Sequence, residues 1–272
     1  MENNTQLKEM IRSMVIDILQ GQKQEMASSQ PIKQAPRGQV EPGVFDTVDE
    51  AIQAAKAAQA RFEDCTLATR EKVIADIRAA MRPRVQELAQ KTVDETGMGR
   101  VADKVLKLNL TLDKTPGVED LVTECETGDN GMTLYELSAY GVIGAITPST
   151  NPAETLICNS IGMLAAGNAI FFSVHPGAKN LSRELVSELN QVIAKSIGIE
   201  NLIVTLREPS IESAQEMMLH PDVSLLVVTG GPGVVKQALQ SGKKVIGAGA
   251  GNPPAFVDET ADIKKAAQDI VL

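Results

Sequence analysis

The stretch Ser224-Leu-Leu-Val-Val-Thr-Gly-Gly-Pro-Gly233, with Lys244-Val-Ile-Gly-Ala-Gly-Ala-Gly-Asn-Pro-Pro254 soon after it, decides the fold. Each is a short apolar run that empties into glycines. That is the pattern of a strand buried on both faces, ending where the backbone can approach a ligand without a Cβ in the way. Tyr140-Gly-Val-Ile-Gly-Ala-Ile146 repeats it and leads into Thr147-Pro-Ser-Thr-Asn-Pro152. Working outward from these runs, strands are predicted at 132–137, 142–146, 169–173, 202–206, 224–228 and 244–246, and helices at 153–165, 179–196, 210–219 and 233–240. Alternation at this spacing predicts an α/β fold with a doubly wound, Rossmann-like parallel sheet and right-handed crossovers. Ligands of such sheets bind beyond the carboxyl ends of the strands, where the polar loops lie.

Upstream the text is helical and rich in alanine and charge, with helices predicted at 48–59, 68–82, 85–95 and 101–114, forming a layer before the sheet. Residues 21–43 are rich in Gln, Ser, Pro and Gly and read as a flexible linker. Before it, residues 5–19 place Leu7, Met10, Ile11, Met14, Val15, Ile18 and Leu19 on one helical face. Such a helix either packs on its own domain or docks elsewhere, and the length of the tether favours docking. The expected organisation is an amphipathic helix over 1–20, a linker over 21–43 and a dinucleotide-binding domain over 44–272.

The 272 residues carry 26 Lys and Arg against 35 Asp and Glu, a formal net charge of −9, with no Trp and only 2 Tyr. A nucleic-acid partner would call for a basic face and stacking aromatics, so none is expected. No apolar run is long enough to span a bilayer, and the N-terminus lacks a signal-peptide pattern, so a cytoplasmic protein is expected. Cys65, Cys125 and Cys158 read as free thiols, and with only His175 and His220 beside them no metal-ligand spacing arises. Cys158 falls among the apolar residues of the helix after Asn151, where a small buried hydrophobe is expected.

From the residues alone, Thr229-Gly-Gly-Pro-Gly233 offers free N–H groups and a helix dipole to a pyrophosphate, or is a tight turn that needs glycine for packing. Asn151-Pro152 is either a catalytic amide or the start of a helix.

Thr147-Pro-Ser-Thr-Asn-Pro152, Leu164-Ala-Ala-Gly-Asn168, His175-Pro176, Val228-Thr-Gly-Gly231 and Gly247-Ala-Gly-Ala-Gly-Asn-Pro253 occur in an order that resembles the aldehyde dehydrogenase superfamily. Glu95-Thr-Gly-Met-Gly99, Lys114-Thr-Pro-Gly-Val-Glu119 and Gly128-Asp-Asn-Gly131 resemble its CoA-acylating branch, the propionaldehyde and acetaldehyde dehydrogenases of propanediol and ethanolamine utilisation. The resemblance covers essentially the whole chain. It implies an oxidoreductase that converts a short-chain aldehyde and CoA to acyl-CoA with NAD as acceptor, NADP remaining open. Asn151 is implied as the oxyanion donor, and Thr147, Pro148, Ser149, His175, Thr229, Gly230, Gly231, Gly247 and Gly249 as the dinucleotide site. Hydrolytic relatives carry a general-base glutamate near Gly247 and a ribose-binding glutamate near Ala178. The glycine loop without an ionisable group suits an external thiol such as CoA better than water. The resemblance also implies that the nucleophilic cysteine falls a little beyond Leu272, none of the three present fitting it, and that the 272 residues alone are inactive. Residues 5–19 resemble the helices that bring enzymes to a shell protein in the lumen of a bacterial microcompartment, and a homo-oligomer is expected. The alternatives are a non-catalytic cargo module and a hydrolytic aldehyde dehydrogenase.

Overall fold

In the computed structural model, which describes residues 41–249 and 254–271, the chain enters through a short strand, β1 (Val44–Phe45), and the helices α1 (Val48–Glu63), α2 (Leu67–Met81), α3 (Val85–Thr96) and α4 (Val101–Lys114). Local signals set these helices. Thr47 caps α1 through Oγ1, with Asp49 and Glu50 in the first turn, where the dipole favours negative charge. Gly97 closes α3 at φ 67°, a conformation that costs glycine little. Val48, Ile52, Ala55 and Phe62 form the buried stripe of α1, at helical spacing.

Next comes an antiparallel hairpin, β2 (Glu124–Gly128) and β3 (Gly131–Tyr135), in register from Glu124 opposite Tyr135 to Gly128 opposite Gly131. The expectation that 132–137 belongs to the parallel sheet is therefore corrected. Both strands of the hairpin are exposed throughout, so no buried face imposed the alternation that marks a half-buried strand.

The remaining elements are β4 (Val142–Ile146), α5 (Pro152–Ala165), β5 (Ala169–Ser173), α6 (Lys179–Ile197), β6 (Ile203–Leu206), α7 (Ile211–Leu219), β7 (Val223–Thr229), α8 (Pro232–Leu239), β8 (Lys244–Ala248) and α9 (Ile263–Val271). The parallel sheet has the order β1-β6-β5-β4-β7-β8. It starts at β4, is laid outward to β6, and then crosses back to β7 on the other side of β4. The doubly wound α/β sheet expected from the sequence is the observed fold, and its switch point lies between β4 and β7.

Strands β4, β5 and β6 are buried along their whole length. Phe171 and Phe172 point to opposite faces of β5 and are 1% and 0% exposed, each burial stabilising the fold by about 2–3 kcal/mol. Helix α7 lies close over β4, because a Cβ on Gly144 would fall 2.2 Å from Met217 Sδ. The compact unit starts at Glu41, so residues 41–43, placed in the linker by composition, belong to it. Glu41 accepts a hydrogen bond from Arg207 at 2.8 Å and Gly43 O accepts one from Thr205 N at 2.9 Å. The helix expected at 5–19, the linker up to residue 40 and the segment 250–253 lie outside the described residues.

Candidate functional site

Strand register gathers the predicted site residues along one edge of the sheet. Ile146 pairs with Ser173 on one side and Val228 on the other, and Val228 pairs with Gly247. The loops that begin at Val174, Thr147, Gly230 and Gly249 therefore leave the sheet side by side, around the switch point. Thr147 is 2% exposed and its Oγ1 has no hydrogen-bond partner among the described residues. Pro148 and Ser149 are half-buried, and Ser149 Oγ lies 3.8 Å from Met98 Sδ, which ties the Glu95–Gly99 block to this loop.

Asn151 opens α5 at φ −139° and ψ 59° without making a side-chain cap. An asparagine there ordinarily accepts from an N–H two or three residues on, a bond worth about 1 kcal/mol. Its Oδ1 is instead committed to Lys104 Nζ at 3.1 Å and Lys107 Nζ at 3.3 Å. The carboxamide nitrogen has no partner among the described residues, so the group is left as a donor. Lys104 is 3% exposed, and its ammonium also donates to Thr150 O and stands 3.3 Å from Glu154 Oε1. Glu154 is 6% exposed, with that ion pair as its charge partner and no aligned hydrogen bond to either oxygen.

Thr229, Gly230 and Gly231 connect β7 to α8, whose cap residue Gly231 has φ −66° and offers no side chain. With Pro232 next, the orphan donors of the first turn are the Gly233 and Val234 N–H groups. A Cβ at Gly231 or Gly233 would meet nothing within 4 Å, so packing within the described residues does not call for glycine at either. Gly230 and Gly247 differ, since a Cβ there would approach Val234 Cγ1 at 3.1 Å and Val235 Cγ1 at 3.0 Å. Those two glycines let α8 sit close to its strands, while Gly249 is open.

His175 is exposed, and its Nδ1 accepts from Gly177 N at 3.0 Å, fixing the turn after β5 and leaving Nε2–H as a donor. Ala178 is fully buried, and the nearby carboxylate of Glu208 is paired with Lys179 at 2.5 Å, which holds it below its ordinary range. Glu95 accepts from the backbone N–H groups of Asn180 and Leu181 at 2.8 Å each, so the start of α6 is already capped by a carboxylate.

Lys104, Lys107 and Glu154 were not singled out from the sequence. The available signal was Lys104 itself, which interrupts the apolar stripe of Val101, Val105, Leu108 and Leu112 on α4. Cys158 corrects the expectation of burial: it is exposed, on the side of α5 that also bears Gly162. The flanking Leu156, Ile157 and Ile161 do supply the buried face, but a helix apolar on nearly every side does not announce which side is open. Cys65 is half-buried and Cys125 is exposed on the hairpin. Among the described residues there is no group of His, Cys, Asp and Glu able to hold a metal ion, and no helix long and apolar enough to cross a membrane.

The aldehyde dehydrogenase family model matches residues 18–272. A curated relative, the propanal dehydrogenase (CoA-propanoylating) of Salmonella typhimurium, is 49% identical over 99% of this chain and 56% of its own length. The chain thus spans little more than half of that relative. A crystal structure of Rhodopseudomonas palustris propionaldehyde dehydrogenase with bound CoA and an acylated cysteine is 52% identical, with a TM-score of 0.78 over 85% of this chain and 53% of that one. A propionaldehyde dehydrogenase from the fucose utilisation bacterial microcompartment of Clostridium phytofermentans is 51% identical, with a TM-score of 0.78 and the same coverage of both chains, 85% and 53%.

Proposed function

The chain belongs to the aldehyde dehydrogenase family, and on that footing we propose that the protein carrying it oxidises a short-chain aldehyde, propanal or acetaldehyde, to its CoA thioester. Asn151 carries this reading. An asparagine that begins a helix, leaves that helix uncapped and presents its carboxamide N–H at the switch-point edge suits an oxygen that gains negative charge. The reaction needs a thiolate to attack the aldehyde carbon, and the amide then donates to the resulting alkoxide. Cys158 is a poor source of that thiolate, being seven residues further along α5, about 10 Å of helical rise from Asn151. The thiol is assigned to the part of such a protein that this chain does not span.

The Thr229–Gly233 loop fits a dinucleotide pyrophosphate: its orphan N–H groups and the open space beside Gly231 and Gly233 leave a seat for an anion. Thr147, Pro148, Ser149, His175, Gly247 and Gly249 border the same edge, with His175 Nε2–H available to a ribose oxygen. Bound NAD supplies the hydride acceptor. Among the described residues no free carboxylate stands at the end of β5 to reject a 2′-phosphate, so NADP is a competing acceptor to be compared directly. Gly247 to Gly249 offers no base to activate water, which favours CoA as the group that releases the acyl chain. In the cell, residues 5–19 are assigned to docking on a shell protein in the lumen of a microcompartment, and the exposed hairpin to homo-oligomer contacts.

The test is NADH formation from propanal and CoA by the full-length protein. Asn151→Ala should lower turnover by about two to three orders of magnitude with little change in NAD affinity. A loss under tenfold would return Asn151 to a turn residue.

A further inference from the structure

Asn151 can donate to an oxyanion only if its carboxamide does not rotate to cap α5, and nothing in the asparagine itself prevents that rotation. The Ala153 and Glu154 N–H groups are orphan donors of the first turn, and an Oδ1 turned toward them would gain an ordinary cap. We infer that Lys104 and Lys107 are positioning residues that hold the Asn151 amide in its donating orientation by outcompeting that cap.

The lysines stand three residues apart on α4, hence on one face, and both ammonium groups reach Oδ1. An ammonium is a donor only, so it fixes which end of the carboxamide it meets: the oxygen faces the lysines and the nitrogen faces away. Hydrogen bonds from charged donors are roughly twice as strong as neutral ones, so a pair of them exceeds one backbone cap. Positive charge beside Oδ1 also draws electron density from the amide nitrogen and makes its N–H a better donor.

Lys104 is built for this placement rather than for solvent. Its ammonium donates to Thr150 O and Asn151 Oδ1, stands 3.3 Å from the Glu154 carboxylate as an ion pair, and is almost fully buried. Glu154 offsets the desolvation of the ammonium, so the helix that carries Asn151 also carries the counter-charge that keeps Lys104 beneath it. Lys107 is exposed and has no such anchor, which makes it the position where orientation and folding separate most cleanly.

This inference rests on the oxyanion reading of Asn151, and the experiment separates the two. In the full-length protein, Lys107→Met should lower kcat about tenfold, inside the roughly hundredfold that a misplacement of 1 Å can cost, with KM for NAD and CoA unchanged. Lys107→Arg should recover most of it. The melting temperature of Lys107→Met should hold or rise, because an amide held by Lys104 alone can turn part of the time toward the cap of α5; a purely structural lysine would lower it. Lys104→Met combined with Glu154→Gln removes the buried pair without stranding a charge and should lower kcat further. In an Asn151→Ala background neither set of changes should cost anything more. A tenfold loss that persists in that background, or a rise in KM for CoA in place of a fall in kcat, overturns the positioning role and makes the lysines direct ligands. Unchanged kcat in Lys107→Met overturns it too, with the oxyanion reading intact if Asn151→Ala remains damaging.

Discussion

Gly231→Asp should weaken dinucleotide binding while leaving the fold as stable as before, or more so. The opposite signs come from one position. Gly231 is the cap residue of α8 at φ −66° and ψ 160°, a backbone that aspartate adopts without strain, and a Cβ there meets no atom of the described residues within 4 Å. Aspartate at a helix cap is favoured over glycine by a few tenths of a kcal/mol, and its charge gains about 0.3–1 kcal/mol from the dipole. The same carboxylate occupies the seat offered to a phosphate. Two like charges about 5 Å apart at an effective dielectric near 20 repel by about 3 kcal/mol, which is more than a hundredfold in Kd. Gly231→Ala, uncharged, should lose far less. Titration calorimetry with NAD and a thermal melt of each variant measure both sides. A Kd for Gly231→Asp within threefold of the parent, with an unchanged melt, would refute the pyrophosphate assignment. Gly230→Asp would not serve, since its Cβ comes within 3.1 Å of Val234 and binding loss could follow from packing alone.

Cys158→Ala should leave turnover of the full-length protein within twofold of the parent, and an abolished rate would make this thiol the nucleophile. Deleting residues 1–20 should change the melting temperature by no more than a degree or so, about what a segment outside the cooperative unit contributes, and fusing them to a fluorescent protein should localise it to microcompartments; Ile11→Glu with Leu19→Glu should disperse it. A diffuse fusion together with a lowered melt would assign the helix to the fold. Glu87 is held down to about 2 from its ordinary 4.5, first by Arg84 and then by Lys91. A depressed carboxyl stabilises the fold above its unfolded value and loses that contribution as pH falls from about 4.5 toward 2. Because Glu87 is 47% exposed and screened, Glu87→Gln should cost about 0.5–1 kcal/mol at pH 7, and chemical denaturation should show the gap closing across that window.

The inner sheet was legible because burial on both faces leaves unbroken apolar runs, as in β4, β5 and β6, whereas β8, read as a buried strand, is an edge strand exposed along nearly its whole length among the described residues. The helices before it were legible through periodicity and caps, α4 to the residue. What escaped had no burial to write a pattern. The hairpin β2–β3 is exposed on both faces, and β1 is a two-residue edge whose pairing with β6 depends on residues far away in sequence. The glycine loops were legible as a set, but only the structure separates Gly231, which packing among the described residues does not require, from Gly247, which packs α8 against β8.

The hardest part to read was the support beneath Asn151. In sequence, Lys104 and Lys107 are ordinary charges on an amphipathic helix, and Glu154 is an acidic residue in a first turn, where the dipole alone would justify it. Each has a sufficient local explanation, so nothing marks them as partners. Their relation exists only once α4 is laid against α5, with Lys104 buried between the carbonyl of Thr150, the amide of Asn151 and the carboxylate of Glu154. A residue whose local rule is satisfied and then overridden is the informative kind: Asn151 sits where asparagine caps helices, and it does not cap this one.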